Sequence, residues 1–198
     1  EMRESADLDF VGSDATRFAA LRAAVRERGY AALFRDLGGL ELPREPKSDQ
    51  YGIRFPVKSG ERTIKIEIIH EGRIVLGDPV REPEVPVPCF SLHDCYAEKL
   101  LANADRGADP TELHRDLVDL ATLRRPVGPI PESAWALAKS AYGETVRSDL
   151  EKSIQRFRRD PKRRQQDLAR LRVESPDEIE AGVESLAADL ALPAPDDD

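Results

Sequence analysis

Only two cysteines, Cys89 and Cys95, occur in 198 residues, so no disulfide framework holds this chain and its thiols are expected to be reduced. Histidine is equally sparse. His70, His93 and His114 are scattered, and the proximity of Cys89, His93 and Cys95 does not make a zinc-ligand pattern. No apolar run approaches the roughly 18 residues that a membrane span requires, and the N-terminus carries neither a basic-then-apolar signal nor a small-residue cleavage site. These absences exclude a membrane-spanning role and point to the cytoplasm. Positive charge is also in deficit. The net charge of −8 argues against a general nucleic-acid coat protein.

The charge that is present is unevenly placed. Arg156, Arg158, Arg159, Lys162, Arg163, Arg164, Arg170 and Arg172 crowd one stretch, whereas 174–198 is acidic and ends in three aspartates. That basic stretch is either an RNA contact or a solvated helix.

Hydrophobic periodicity orders the rest. Asp7 to Val11 alternates as a strand. A helix capped by Ser13 and ended by Gly29 follows, with Phe18, Leu21, Ala24 and Val25 at helical spacing. Tyr51 to Val57 and Arg62 to Ile69 alternate again across Ser59-Gly60, a hairpin signal, with Pro56 marking an edge. Four prolines between Pro79 and Pro88 read as a boundary. Beyond it the pattern is helical. Ser91 with Asp94 caps a helix over about 92–104, Asp109-Pro110 opens one running to about Leu123, and further helices are expected at 131–142, 144–158, 161–173 and 176–191. The expected class is α+β, a mixed-sheet core over 1–90, a helical region over 91–192 and a disordered tail over 193–198.

Two aspartates at i and i+2 on a strand project to one side. Asp7 and Asp9 can therefore hold divalent cations together while Leu8 and Phe10 face the core. Glu67, centred in the apolar run Ile64 to Ile69, is a candidate third metal ligand. Equally, Lys65 and Glu67 form the wet face of a two-sided strand. Lys99 lies on the helix face of Leu92, Tyr96 and Leu100, and Asp116 lies among Leu113, Leu117, Leu120 and Leu123, with Asp119 at the rim. A lysine on an apolar face needs an anionic partner. Either Lys99 and Asp116 pair across helices, or Lys99 meets nucleotide phosphates with Arg115, Asp116 or Asp119 orienting it or the substrate.

Taken together, Ser5-Ala6-Asp7-Leu8-Asp9-Phe10, Ile64-Lys65-Ile66-Glu67-Ile68, Ala97-Glu98-Lys99-Leu100 through Arg106, and Arg115-Asp116-Leu117-Val118-Asp119-Leu120 resemble the AbiEii/AbiGii toxin family over roughly 3–125. The A-E-K-L and R-D-x-x-D-L block carries most of that specificity. The resemblance implies a polymerase-β-like nucleotidyltransferase fold and a toxin paired with a cognate antitoxin. It further implies transfer of NMP from an NTP to an RNA, for which tRNA is the expected acceptor. It implies Mg²⁺ at Asp7 and Asp9, Glu67 as third carboxylate, and essential roles for Lys99 and an aspartate within 115–119. Ser5 matches a serine of the family motif that is a candidate modification target and nucleotide contact. The family pattern begins with a Gly-Gly-Ser/Thr turn about a dozen residues before the metal aspartates, where backbone N–H groups cradle the triphosphate. Six residues precede Asp7 here, none of them glycine, and Glu1 before Met2 is odd for a native start, so a truncation is expected. The alternative is a degenerate, non-catalytic member that binds an antitoxin or another partner.

Overall fold

The computed structural model describes residues 7–194. Ser5 and residues 195–198 of the expected tail lie outside the described residues. The class is α+β, with strands first and helices after, and the chain divides into two compact units, one ending at Val75 and the other beginning at Leu76.

In the first unit the strands β1 (Asp7–Gly12), β2 (Lys47–Ser48), β3 (Gly52–Ser59) and β4 (Arg62–His70) form one mixed sheet in the order β1-β4-β3-β2. β1 runs parallel to β4, and the other pairs are antiparallel. The β3–β4 hairpin turns through Gly60 and Glu61, one residue later than the sequence signal, with Ser59 opposite Arg62. Gly60 takes the left-handed φ of +59° that such a turn requires. Pro56 sits in a strand with a neighbour on each side, yet the two-residue β2 pairs only with Ile53 and Arg54. The missing N–H of Pro56 therefore breaks no ladder bond on that side.

Helix α1 (Ala15–Arg28) starts at Asp14, not Ser13, because the Asp14 carboxylate accepts the Arg17 N–H at 2.9 Å. It ends at Gly29, whose φ is +55°. Val25 of α1 packs with Ile53, Phe55, Val57 and Ile66 into the core of this unit, joined by Leu21, Tyr30, Phe34 and Leu42. Tyr30, Phe34 and Phe55 meet edge to face at 5.5 and 5.9 Å. Leu8 and Phe10 share the face of their partners Ile66 and Ile68 but are 49% and 38% exposed, so the expectation that they face the core is corrected. The cover supplied by α1 and residues 30–42 lies over β3 and β4, and the outer strand β1 falls beyond it.

The second unit is helical: α2 (Leu92–Arg106), α3 (Arg115–Val127), α4 (Glu132–Tyr142), α5 (Thr145–Arg159), α6 (Pro161–Arg170) and α7 (Pro176–Asp189). Ser91 caps α2 as its sequence indicates. Its hydroxyl accepts the Asp94 N–H at 3.1 Å and donates to the Asp94 carboxylate at 2.6 Å. Asp109-Pro110 does not open a full helix. It opens a single tight turn (Pro110–Glu112), after which Leu113 and His114 take left-handed φ values of 55° and 57° and redirect the chain into α3. Tyr96, Leu100, Leu117, Leu120, Leu150, Ile154, Ile179 and Leu186 fill the centre of this unit. α7 lies against α3 at a glycine, because a Cβ on Gly182 would stand 2.6 Å from the Ala121 carbonyl oxygen.

Candidate active site

The parallel pairing of β1 with β4 sets Asp7 beside Lys65 and Asp9 beside Glu67. Since alternate strand residues share a face, Asp7, Asp9 and Glu67 lie on the side of the sheet opposite Ile64, Ile66 and Ile68. The antiparallel register adds Arg54, directly across from Glu67. Glu67 is held by two cations. Lys65 Nζ stands 2.6 Å from its Oε1 and Arg54 Nε 3.4 Å, and Arg54 also reaches Asp49 at 3.1 Å. The wet-face reading of Lys65 and Glu67 and the carboxylate-site reading thus concern one surface. With a side chain 17% exposed, Glu67 is the more enclosed of the two.

Three carboxylates on one face are the oxygen donor set of a hard divalent cation, and in residue type they fit Mg²⁺. Their side-chain positions do not form a ready cage. Among the described residues, no three His, Cys, Asp or Glu side chains are gathered as ligands of one ion.

The helical unit holds a second charged group. Lys99 Nζ donates to Asp119 Oδ2 at 2.5 Å and stands 3.7 Å from Asp116 Oδ1. Asp116, whose side chain is 3% exposed, takes its main bonds from Arg106. Nε donates to Oδ2 at 2.7 Å and a terminal guanidinium nitrogen donates to Oδ1 at 3.0 Å. These bonds to Asp116 raise the Arg106 pKa above its ordinary value, over the opposing effect of burial. Lys99, Asp116 and Asp119 are therefore brought together, but the expected Lys99–Asp116 pair is secondary to Lys99–Asp119. Arg115 is directed elsewhere, with Glu112 3.9 Å away. Arg106 was missed as a site residue, although its sequence position signals it. Seven residues after Lys99, it returns to nearly the same face of α2. The carboxylate face and the Lys99 group belong to different units, and each is described within its own.

The basic stretch is mostly internal bonding. Arg158 pairs with Glu184 and bonds the Pro193 carbonyl, and Arg164 pairs with Glu180 while lying over the Phe157 ring. Arg156 bonds the Gly107 carbonyl at 2.8 Å, and Arg163 bonds the Pro110 carbonyl at 2.6 Å. Arg159, Lys162 and Arg170 are exposed. The stretch is thus not simply a solvated helix, since several of its arginines are taken up by contacts within the unit. His114 packs edge-on against Phe157, with Nε2 3.7 Å from Asp167, and burial lowers its pKa from the usual 6.5. Burial likewise pushes the Cys95 thiol up.

Residues 1–196 match the model of the family described as nucleotidyl transferase AbiEii toxin, type IV toxin-antitoxin system, and the chain belongs to that family of nucleotidyltransferase toxins. No curated protein and no solved structure matches the chain. No helix among the described residues is long and apolar enough to cross a membrane.

Proposed function

We propose, with that membership as the premise, that this protein is a cytoplasmic, metal-dependent nucleotidyltransferase toxin that transfers NMP from an NTP to an RNA, with tRNA as the acceptor. The observation that carries the reading is the register of β1 on β4, which lines Asp7, Asp9 and Glu67 along one face. Asp7 and Asp9 would hold the divalent cation, with Glu67 as the third carboxylate. Such an ion supplies activation of the attacking hydroxyl and stabilisation of the departing pyrophosphate. In the reaction the acceptor hydroxyl oxygen bonds to the α-phosphorus, the α–β phosphoanhydride bond breaks, and the hydroxyl proton passes to the carboxylate face. Lys99 supplies positive charge to the triphosphate, and Asp116 and Asp119 set the position of its ammonium. Arg54 and Lys65 stand beside Glu67 on the same face. A cognate antitoxin completes the system.

The test is incubation of the protein with total tRNA, Mg²⁺ and each α-³²P-labelled NTP in turn. Label is expected in RNA with at least one nucleotide, dependent on Mg²⁺ and reduced on the order of 100-fold or more in Asp7→Asn and Asp9→Asn, as for loss of a catalytic metal ligand. Circular dichroism should show both variants folded. No transfer to RNA or protein from any of the four nucleotides would overturn the enzyme reading in favour of a partner-binding module of the same fold.

A further inference from the structure

Arg106 has no part in the reading above, yet it makes a two-pronged charged contact with the buried Asp116. Its fork occupies both oxygens of Asp116, and Asp116 Oδ1, the oxygen nearest Lys99, is one of the two it binds. Glu112 Oε2 lies 3.8 Å from Arg106 Nε and 3.9 Å from Arg115, so Arg115 helps to neutralise Glu112 from the other side. The Lys99 ammonium consequently has one close carboxylate, Asp119 at 2.5 Å, and one at 3.7 Å that is already paired.

A buried carboxylate that loses its partner takes the nearest remaining cation, because leaving the charge unpaired costs far more than moving a flexible side chain. For Asp116 that cation is Lys99. We infer that Arg106 is a positioning residue: by saturating Asp116 it keeps Lys99 from being clamped between two carboxylates and leaves its ammonium available to an anionic ligand. On the nucleotidyltransferase reading, on which this last step rests, that ligand is the nucleotide triphosphate. Arginine suits the position because its planar fork binds both oxygens of one carboxylate, which a lysine ammonium does not.

The experiment reads the Lys99 amine directly. The intact protein is labelled briefly with an acetylating reagent at fixed pH, and modification of Lys99 is measured by peptide mass spectrometry relative to the exposed Lys162 in the same digest. In Arg106→Gln, Lys99 labelling should fall about fivefold, the ratio for about 1 kcal/mol of added ion pairing. Arg106→Gln/Asp116→Asn should restore it, since a neutral amide cannot hold the ammonium. Arg106→Lys, which retains one charged bond and the best prospect of a stable fold, should lie between wild type and Arg106→Gln. A merely structural Arg106 would not give rescue by removal of a second charge. Unchanged labelling in both single variants, or equal loss in the double variant, overturns the assignment. Equilibrium dialysis against Mg²⁺ with ATP, CTP, GTP or UTP then follows wild type and the two single variants and should rank them in the same order. If wild type binds none of the four, the nucleotide reading fails while the labelling still decides what Arg106 does.

Discussion

At the scale of single residues, His114 contributes a pH dependence to the stability of the helical unit. Its side chain is 11% exposed and burial lowers its pKa, outweighing the raising effect of Asp167, while Arg163 and Arg156 lower it further. The unfolded chain takes up a proton near pH 6.5, whereas the folded chain resists it until lower pH. The unfolded state therefore binds more protons between those two values, and stability is lost as pH falls through that window. His114→Asn should flatten the dependence of the unfolding midpoint on pH between 7 and the folded pKa, and asparagine tolerates the φ of 57° at this position. Thermal unfolding of both proteins at a series of pH values checks it, and parallel curves would refute it. Nothing in the sequence marked His114 as buried, because the burial arises from Phe157 and Asp167, more than 40 residues away in the chain. Asp7, Asp9, Glu67, Lys99 and Asp116 were legible as candidates because each shows as a charge at a defined strand or helix position. Arg106 escaped because at a helix end a single arginine looks like an ordinary favourable charge on the helix dipole.

At the scale of elements, helix positions followed from periodicity and caps, and the α3 start did not. Asp109-Pro110 carries the local chemistry of a helix opening, but Leu113 and His114 in left-handed conformation break the run, a choice that local preference opposes and tertiary packing enforces. The parallel pairing of β1 was equally hidden, since alternation gives a strand its faces but not its neighbour. The α3–α7 contact offers a test with an inverted sign. Glycine to alanine within a helix ordinarily stabilises by about 1 kcal/mol. At Gly182 the new Cβ would lie 2.6 Å from a backbone oxygen of α3 that has no rotamer by which to yield. Gly182→Ala is expected to destabilise by about 1–3 kcal/mol through overpacking. Urea denaturation followed by circular dichroism measures it, and a gain in stability would show that α7 is not held this closely.

At the scale of the whole molecule, the uneven charge noted in the sequence resolves into structure. The arginines of 156–164 largely meet carbonyls and the acidic residues of α7, so the basic and acidic stretches neutralise each other within one unit. Composition showed the two stretches, but their pairing depends on α5, α6 and α7 packing together, which no local pattern encodes. Division of the chain near Leu76 has a further consequence. Residues 77–88 are exposed, and Arg81 lies among prolines in a segment without helix or strand. Proteases act where backbone can be drawn into an extended form without unfolding a core. Brief trypsin treatment under native conditions is therefore expected to cut first after Arg81, giving fragments that end at Arg81 and begin at Glu82, identified by intact mass. Many of the other arginines are protected, although Arg35 and Arg44 are also exposed outside helix and strand. Those of α5 and α6 lie in helices, and Arg54 lies in the interior strand β3. A first cut within β3, β4, α2 or α5 would mean that one of these elements opens more readily than the exposed segment 77–88, and would refute this expectation.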